Sequence, residues 1–305
     1  MKITALAENT SACHDLGSEH GLSLFIETAG IRLLFDMGQS ALFAENARKL
    51  GVDLASAELA VLSHGHYDHG GGLPVFLEIN DRVPVYLSRY AFDECHNAEG
   101  KYIGLDPKLK IEPRLVFTGE ETELSPALHL YACNERQPAH PIDSAGLTVR
   151  RGGEVVPDGF RHEQYLLIEE AGKRVLISGC SHKGILNLLD WFAPDVVVGG
   201  FHLMKRPADE SLAPCAEALG KADTRFFTCH CTGLEQYRWL KSRLPALGYL
   251  STGQTNEIRQ TKGALQNATR PGILILRSGS TCAPEVQPAF PSGNSASGHR
   301  FHIWP

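Results

Sequence analysis

The run of residues 63–69 constrains this chain more than any other part of its sequence. It contains three imidazoles and one carboxylate within six consecutive positions: His64, His66, Asp68 and His69. A short apolar run, residues 59–62, precedes it, and three glycines, residues 70–72, follow it. Imidazole and carboxylate groups hold zinc, iron or manganese while leaving coordination positions open. The pattern therefore predicts a catalytic metal centre at the end of a β-strand.

The spacing of these side chains fits two neighbouring ions. His64 and His66 are two residues apart, so on extended backbone both rings point the same way and can bind one ion together. Asp68 and His69 follow in a tight turn, so two ions about 3.5–4 Å apart would share this loop. The glycines let the backbone turn sharply without a Cβ clash.

The wider sequence resembles a known family. His64-x-His66-x-Asp68-His69 is similar to the signature of the metallo-β-lactamase superfamily, and Asp36-Met37-Gly38 resembles the superfamily's strand ending in Asp-x-Gly. Further motifs are similar to one branch, a group of metal-dependent hydrolases sometimes labelled dihydropteroate-synthase-like: residues 19–23, 63–65, 179–182, 199–203 and 230–233. The resemblance covers about residues 1–260. It implies metal-dependent hydrolysis on that superfamily's fold.

Alternating strand and helix patterns predict an α/β protein. Residues 22–28 and 31–36 flank Ala29-Gly30 in a hairpin pattern, and residues 41–50 form an amphipathic helix that Gly51 ends. Residues 165–170 and 174–178 repeat the strand–turn–strand pattern in the second half. Two β-rich halves with helices outside indicate a four-layer αββα sandwich, which is the metallo-β-lactamase type that the resemblance implies.

We expect one domain over residues 1–282, because no low-complexity linker interrupts residues 1–260. Residues near 95–115 are rich in Gly, Pro and Lys without a clear period, which predicts an insertion or lid over the site. From about Ala283 onward Pro, Gly, Ser and Ala dominate, which predicts a loose tail over residues 283–305.

The resemblance implies further ligands at the ends of later strands. His230 matches the superfamily's final histidine, and Cys180 stands where the superfamily usually has an aspartate that bridges both ions. A thiolate binds zinc or iron, and His182 is a further candidate ligand beside it. The superfamily's third histidine should precede a strand near His162 and Glu163, so His162, Glu163 and His182 remain alternatives for that ligand.

Three residues have predicted roles in the chemistry. Asp68 would ligate one ion and orient a metal-activated water, since a bound metal lowers the pKa of water to about 7. His202, at a strand end beside two glycines, would protonate the leaving group. Asp36 would support a ligand histidine through a hydrogen bond. We expect zinc, two ions per chain, with iron or manganese as alternatives.

The charge and hydropathy of the chain limit the kinds of partner that we expect. The 305 residues include 29 basic and 35 acidic residues, so a net charge of −6 gives no basic face for duplex nucleic acid. No apolar run is long enough to cross a bilayer, and the N-terminus lacks a secretion signal, so we expect a cytoplasmic protein without membrane contact. The eight cysteines are even in number, but the chain is long and shows no export signal, so we do not expect a disulfide framework.

Three functional hypotheses follow. The first is a metal-dependent hydrolase of a small anionic ester, with a phosphodiester preferred over a carboxylic ester or lactone because cationic metals suit anionic substrates. The second is a different metal enzyme on the same scaffold, either the pterin-linked synthase that the branch label implies or an iron redox enzyme, which the thiol of Cys180 favours. The third is a non-catalytic ligand-binding or sensor protein. These motifs encode neither the substrate nor the oligomeric state.

Overall fold

The computed structural model describes residues 1–258 and 278–280. The α-helices are α1 Leu42–Leu50, α2 Tyr67–Gly70, α3 Leu73–Ile79, α4 Ile185–Phe192, α5 Ala213–Lys221 and α6 Leu234–Arg243. The strands are β1 Lys2–Ala7, β2 Ser23–Thr28, β3 Ile31–Phe35, β4 Leu59–Val61, β5 Val85–Ser88, β6 Glu94–His96, β7 Leu115–Thr118, β8 Glu121–Ser125, β9 Leu128–Tyr131, β10 Thr148–Arg151, β11 Glu154–Pro157, β12 Tyr165–Glu170, β13 Lys173–Ile177, β14 Val196–Gly199, β15 Arg225–Thr228, β16 Gly248–Tyr249, β17 Gln254–Glu257 and β18 Ser278–Ser280. The predicted tail, residues 283–305, lies outside the described residues.

Two large β-sheets form the centre of the molecule. One has the strand order β18-β17-β1-β2-β3-β4-β5-β7, and the other has the order β16-β15-β14-β13-β12-β9-β8. Both predicted hairpins are present, because β2 pairs antiparallel with β3 and β12 pairs antiparallel with β13. Alternate side chains of each strand point inward. Leu24 and Leu33 of the first sheet therefore share one buried core with Leu166 and Val196 of the second.

The helices cover the outer faces of both sheets. Phe43 of α1 and Phe76 of α3 pack in a second core with Leu34 of the first sheet. Leu188 of α4 packs in a third core with Val197 of the second sheet. The predicted four-layer αββα sandwich is therefore confirmed. Within residues 1–258, no helix is both long and apolar enough to cross a bilayer.

The parallel strands determine where the loops emerge. In the first sheet β3, β4 and β5 run parallel, and in the second sheet β13, β14 and β15 do. The carboxyl ends of parallel strands meet at one edge of a sheet, where α/β proteins bind ligands. The loop after β4 carries His64, and the loops after β13, β14 and β15 carry Cys180, His202 and His230.

The region predicted as an insertion or lid packs against the loop that follows β4. β6 joins β10 and β11 in a small three-stranded sheet. The backbone N–H of Tyr67 donates to the carbonyl oxygen of Ile103 at 2.9 Å, and Leu105 is buried. Ile111 is 89% exposed. The segment therefore borders the site, and its action as a lid stays a prediction.

The cysteines of the described residues are largely free thiols. Cys13 is an exception, since it is disulfide-bonded. The free cysteines of the described residues are Cys95, Cys133, Cys180, Cys215, Cys229 and Cys231.

Candidate metal centre

The loop after β4 presents its side chains as the spacing predicted. His66 has extended backbone, with φ −93° and ψ 148°, and its ring lies 4.6 Å from that of His64. The short helix α2 follows at once and carries Asp68 and His69. Gly72 has an ordinary φ of −78°, but a Cβ there would lie 2.2 Å from the carbonyl oxygen of Met37. This glycine is therefore required for close packing rather than for an unusual backbone turn.

His64, His66 and His182 form what we call the first ligand group. Their candidate ligand atoms lie within 4.8 Å of one another, and the Nε2 atoms of His64 and His182 are 3.3 Å apart. The Ser63 hydroxyl donates to Asp36 Oδ2 at 2.7 Å, so it accepts from Nδ1 of His64 at 2.8 Å. Nε2 of His64 therefore presents its lone pair to the pocket.

These three rings favour the neutral form that binds metals. Burial lowers the pKa of His66 to about 3, and burial also lowers the pKa values of His64 and His182 well below their usual range. Nε2 of His66 is buried and has no hydrogen-bond partner among the described residues. A buried polar atom without a partner is costly, and a cation beside it would remove that cost.

Asp68, His69 and His230 form the second ligand group. His69 Nδ1 donates to Asp36 Oδ2 at 2.7 Å, which confirms the predicted support from Asp36. His230 Nδ1 lies 2.8 Å from Asn9 Oδ1 and donates to it. In the neutral form of each ring the lone pair therefore lies on Nε2, yet these atoms are 3.1 Å apart. Two facing lone pairs repel each other unless a proton or a metal ion lies between them.

The second ligand group attracts positive charge. Burial opposes a charge on His69, but the carboxylates of Asp36 and Asp68 raise the pKa of His69 to about 9. Asp68 Oδ2 lies 3.4 Å from Nε2 of His230. The same carboxylates that stabilise a proton here would stabilise a metal ion, so the residues of this group fit a cation.

Cys180 lies between the two groups. Its Sγ is 3.2 Å from Nε2 of His69, and its candidate ligand atom lies within 4.8 Å of those of His64 and His69. Burial raises the pKa of the Cys180 thiol well above its usual range. A thiolate at this position therefore needs a cation next to it, as a metal ligand would have.

The structure distinguishes the three alternatives for the remaining ligand. His162 accepts the Gly65 N–H through Nδ1 at 3.2 Å and donates through Nε2 to Asp158 Oδ2 at 3.0 Å, so both of its nitrogens are used. Glu163 accepts the backbone N–H of His182 at 2.8 Å. The rings of His162 and His182 both lie 5.0 Å from the ring of His66. His182 differs because its Nε2 atom lies 3.3 Å from Nε2 of His64, whereas both nitrogens of His162 are engaged in hydrogen bonds.

His202 borders the pocket, and its action as a proton donor stays a prediction. Its ring centroid lies 4.2 Å from that of His182, and its Nδ1 is buried without a hydrogen-bond partner in the part of the chain that the structure describes. Its backbone φ of 52° lies in the left-handed region, so the loop after β14 holds it in a strained conformation.

The sequence interpretation gave no role to several residues that contact the site. His20 Nε2 lies 3.3 Å from Asp68 Oδ2. The backbone N–H of His230 donates to the carboxylate of Glu8, which is fully buried. The family-like motif of residues 19–23 could have pointed to His20, whereas Glu8 and Asn9 have no such signal in the sequence.

Comparison with known proteins supplies the family. A sequence model of the metallo-beta-lactamase superfamily matches residues 16–227. The chain is 30% identical over 266 residues to 7,8-dihydropterin-6-methyl-4-(beta-D-ribofuranosyl)-aminobenzene-5'-phosphate synthase of Methanocaldococcus jannaschii, which covers 77% of this chain and 88% of that relative.

Solved structures agree with this match. Tm1679, described as a metal-dependent hydrolase of the beta-lactamase superfamily, is 32% identical, with a TM-score of 0.68 over 83% of this chain and 95% of that chain. Zn²⁺-bound PqqB from Methylobacterium extorquens shares the fold at 12% identity, with a TM-score of 0.54 over 84% of this chain and 99% of that chain. The chain therefore belongs to the metallo-beta-lactamase superfamily, whose members bind metal ions.

Proposed function

We propose that this protein is a metal-dependent hydrolase that holds two ions, one in each ligand group, with Cys180 between them. The observation that carries the proposal is the 3.1 Å separation of two Nε2 atoms, in His69 and His230, each of which carries the lone pair of its ring in the neutral form. Neutral imidazole, carboxylate and thiolate are all ligands of zinc, so zinc is the proposed metal. Iron and manganese are the alternatives.

Bound metal ions act as Lewis acids and make water available as a nucleophile at neutral pH. The side chains around them orient the reactants. Asp68 is held from outside the pocket by His20, so its carboxylate is positioned to orient the attacking water. His202 lies beside His182 with an unpartnered nitrogen, so it is the proposed donor of a proton to the leaving group.

The proposed substrate is a small anionic ester, and a phosphodiester is preferred. Two cations with a surrounding set of imidazoles would attract an anion even though the whole chain has a net charge of −6. Because the pocket lies among loops at the ends of parallel strands, substrate choice depends on those loops rather than on the ligands. We expect action in the cytoplasm, with no duplex nucleic acid or membrane as a partner.

The test is hydrolysis of bis-p-nitrophenyl phosphate by the purified full chain. We expect chelation to abolish activity, and His66→Ala to lower the rate at least about 100-fold together with metal content. His129→Ala is the matched control, since His129 lies on β9 and its ring contacts the carbonyl oxygen of Pro126 and the ring of Tyr131 rather than the ligand groups. Full activity and full metal content in His66→Ala would contradict the ligand assignment.

A synthase is the second candidate, because the archaeal relative described above is named a synthase of a dihydropterin product and 88% of it is covered. Mass spectrometry of a reaction between an aromatic amine and a reduced pterin that carries a leaving group on its 6-methyl carbon, with the metal-loaded protein, would test this alternative. A coupled product without any phosphodiester hydrolysis would favour the synthase. Iron found by metal analysis would favour a redox enzyme. No activity in any of these assays would favour a non-catalytic binding or sensor protein.

A further inference from the structure

The loop between β1 and β2 packs directly against the second ligand group. A Cβ on Gly21 would lie 2.6 Å from the carbonyl oxygen of Asp68, and Leu22 N–H donates to that same oxygen at 3.3 Å. Glu19 fixes the other side of the loop, since its carboxylate accepts the N–H of Gln39 at 2.9 Å. The proposed reaction uses none of these residues, yet the loop reaches two of the three candidate ligands of the second ligand group.

The orientation of the Asn9 side-chain amide follows from its neighbours. The backbone N–H of Gly21 is an unambiguous donor, and it points at one amide atom of Asn9 at 3.3 Å, which must therefore be the oxygen. This oxygen is also 2.8 Å from Nδ1 of His230. Nδ1 of His230 must then carry a proton, and the lone pair of this ring must lie on Nε2, toward the pocket.

The other amide atom of Asn9 determines the state of His20. Asn9 Nδ2 can only donate, and it lies 3.2 Å from Nδ1 of His20. Nδ1 of His20 is therefore an acceptor, so the proton of this neutral ring is on Nε2. That atom lies 3.3 Å from Asp68 Oδ2 and donates to it. One amide thus fixes the tautomers of two rings. His230 is itself a candidate ligand, and His20 holds a second candidate ligand, Asp68.

We propose that Asn9 is a positioning residue for the metal ion of the second ligand group, acting on His230 directly and on Asp68 through His20. This inference rests on the proposed function, because it presupposes that the second ligand group binds a divalent cation. An amide suits this role because its one acceptor and one donor satisfy both neutral rings at once. Hydrogen-bond partners of metal ligands commonly change metal affinity about 10–100-fold when they are removed.

The experiment compares Asn9→Leu, Asn9→Asp and His20→Phe in the full chain. Zn²⁺ is titrated into metal-free protein against a chromophoric chelator, and the absorption spectrum of the Co²⁺-substituted protein reports the ligand environment. We expect the wild type to retain two ions and Asn9→Leu to bind the second about 10–100-fold more weakly, with an altered Co²⁺ spectrum. Asn9→Asp keeps the acceptor for His230 and should retain both ions. His20→Phe should show a smaller loss than Asn9→Leu.

The outcomes separate this inference from the proposed function. A wild type that binds no ion would overturn both. A wild type and an Asn9→Leu variant that bind two ions equally well would overturn only the role of Asn9, as would an Asn9→Asp variant that loses the second ion as fully as Asn9→Leu does. If metal-free Asn9→Leu is unfolded, His20→Phe decides, because 43% of the His20 side chain is exposed and its replacement leaves the core intact.

Discussion

Asp36→Asn is the substitution that most directly tests the tautomer argument at the metal centre. Asp36 is fully buried and accepts three hydrogen bonds: from Ser63 N–H at 2.7 Å through Oδ1, and from Ser63 Oγ and His69 Nδ1 at 2.7 Å each through Oδ2. In the asparagine variant, Ser63 N–H can only donate, so the amide oxygen must take the place of Oδ1. The amide N–H₂ would then face Nδ1 of His69.

That arrangement makes the hydrogen bond and metal binding mutually exclusive. His69 can accept from the new amide only by moving its proton to Nε2, and it then has no lone pair for a metal. If it keeps the metal, two N–H groups face each other. The loss of one charge-assisted hydrogen bond, about 1.5–3 kcal/mol, sets the scale. We therefore expect the second ion to bind about 10–100-fold more weakly, which agrees with the effect of removing other partners of metal ligands.

Asp158→Asn is the matched control because it changes a second buried aspartate–histidine pair of the same design. Asp158 accepts Phe160 N–H at 2.7 Å through Oδ1 and His162 Nε2 at 3.0 Å through Oδ2. Chelator competition and thermal unfolding with and without zinc should show destabilisation of the metal-free protein in both variants. Only Asp36→Asn should lose affinity for the second ion. An Asp36→Asn variant that binds two ions as the wild type does would contradict the tautomer assigned to His69.

Three further predictions concern the ligand thiol, the contact between the two sheets and the packing of the metal loop. Cys180→Ser should lower the zinc content measured by mass spectrometry and favour harder ions such as manganese, since a hydroxyl is a poor zinc ligand; unchanged stoichiometry and rate would mean that the thiol does not coordinate. Burial raises the pKa of Glu170, but its hydrogen bond from Thr28 and the nearby N-terminal ammonium outweigh burial, so the folded-state pKa is lowered. The ionised carboxylate therefore stabilises the fold at neutral pH, and this stabilisation is lost as the pH falls through the folded-state pKa. Glu170→Gln should therefore lower the unfolding free energy by about 1 kcal/mol at pH 7, and denaturant titrations that show the same deficit in strong acid would contradict this. Gly72→Ala should lower the melting temperature and the metal content together, whereas Gly159→Ala, where a Cβ meets nothing within 4 Å, should change neither.

Much of the fold could be predicted because its signals are local. The alternation of β2 and β3 and of β12 and β13 depends on neighbouring residues, so the hairpins and the αββα order follow from the sequence. The helix α1 ends where predicted, with Gly51 in the left-handed conformation at φ 70°. The ligand loop could be predicted for the same reason, since the spacing of its side chains and the extended backbone at His66 are properties of a few consecutive residues.

The choice of the remaining ligand could not be predicted, because it depends on contacts between distant parts of the chain. His162 stands where the resemblance expected a ligand, but Gly65, 97 residues before it, donates to its Nδ1, and Asp158 accepts from its Nε2. His64 follows β4 of the first sheet and His182 follows β13 of the second, so the packing of the two sheets brings them together across 118 residues.

The tautomer of each imidazole depends on the same kind of distant contact, and it decides which histidines can be ligands. Nothing near His230 in the sequence indicates that Asn9, 221 residues away, accepts its Nδ1 proton. A spacing motif can state how many imidazoles a loop contributes, but it cannot state which nitrogen of each ring is free. For this reason the substitution that replaces an acceptor by a donor at Asp36, with Asp158→Asn as its control, tests the centre more sharply than removal of the ligands themselves. Removing a ligand abolishes binding under any arrangement, whereas moving one proton does so only if the proposed lone pairs are the ones that hold the metal.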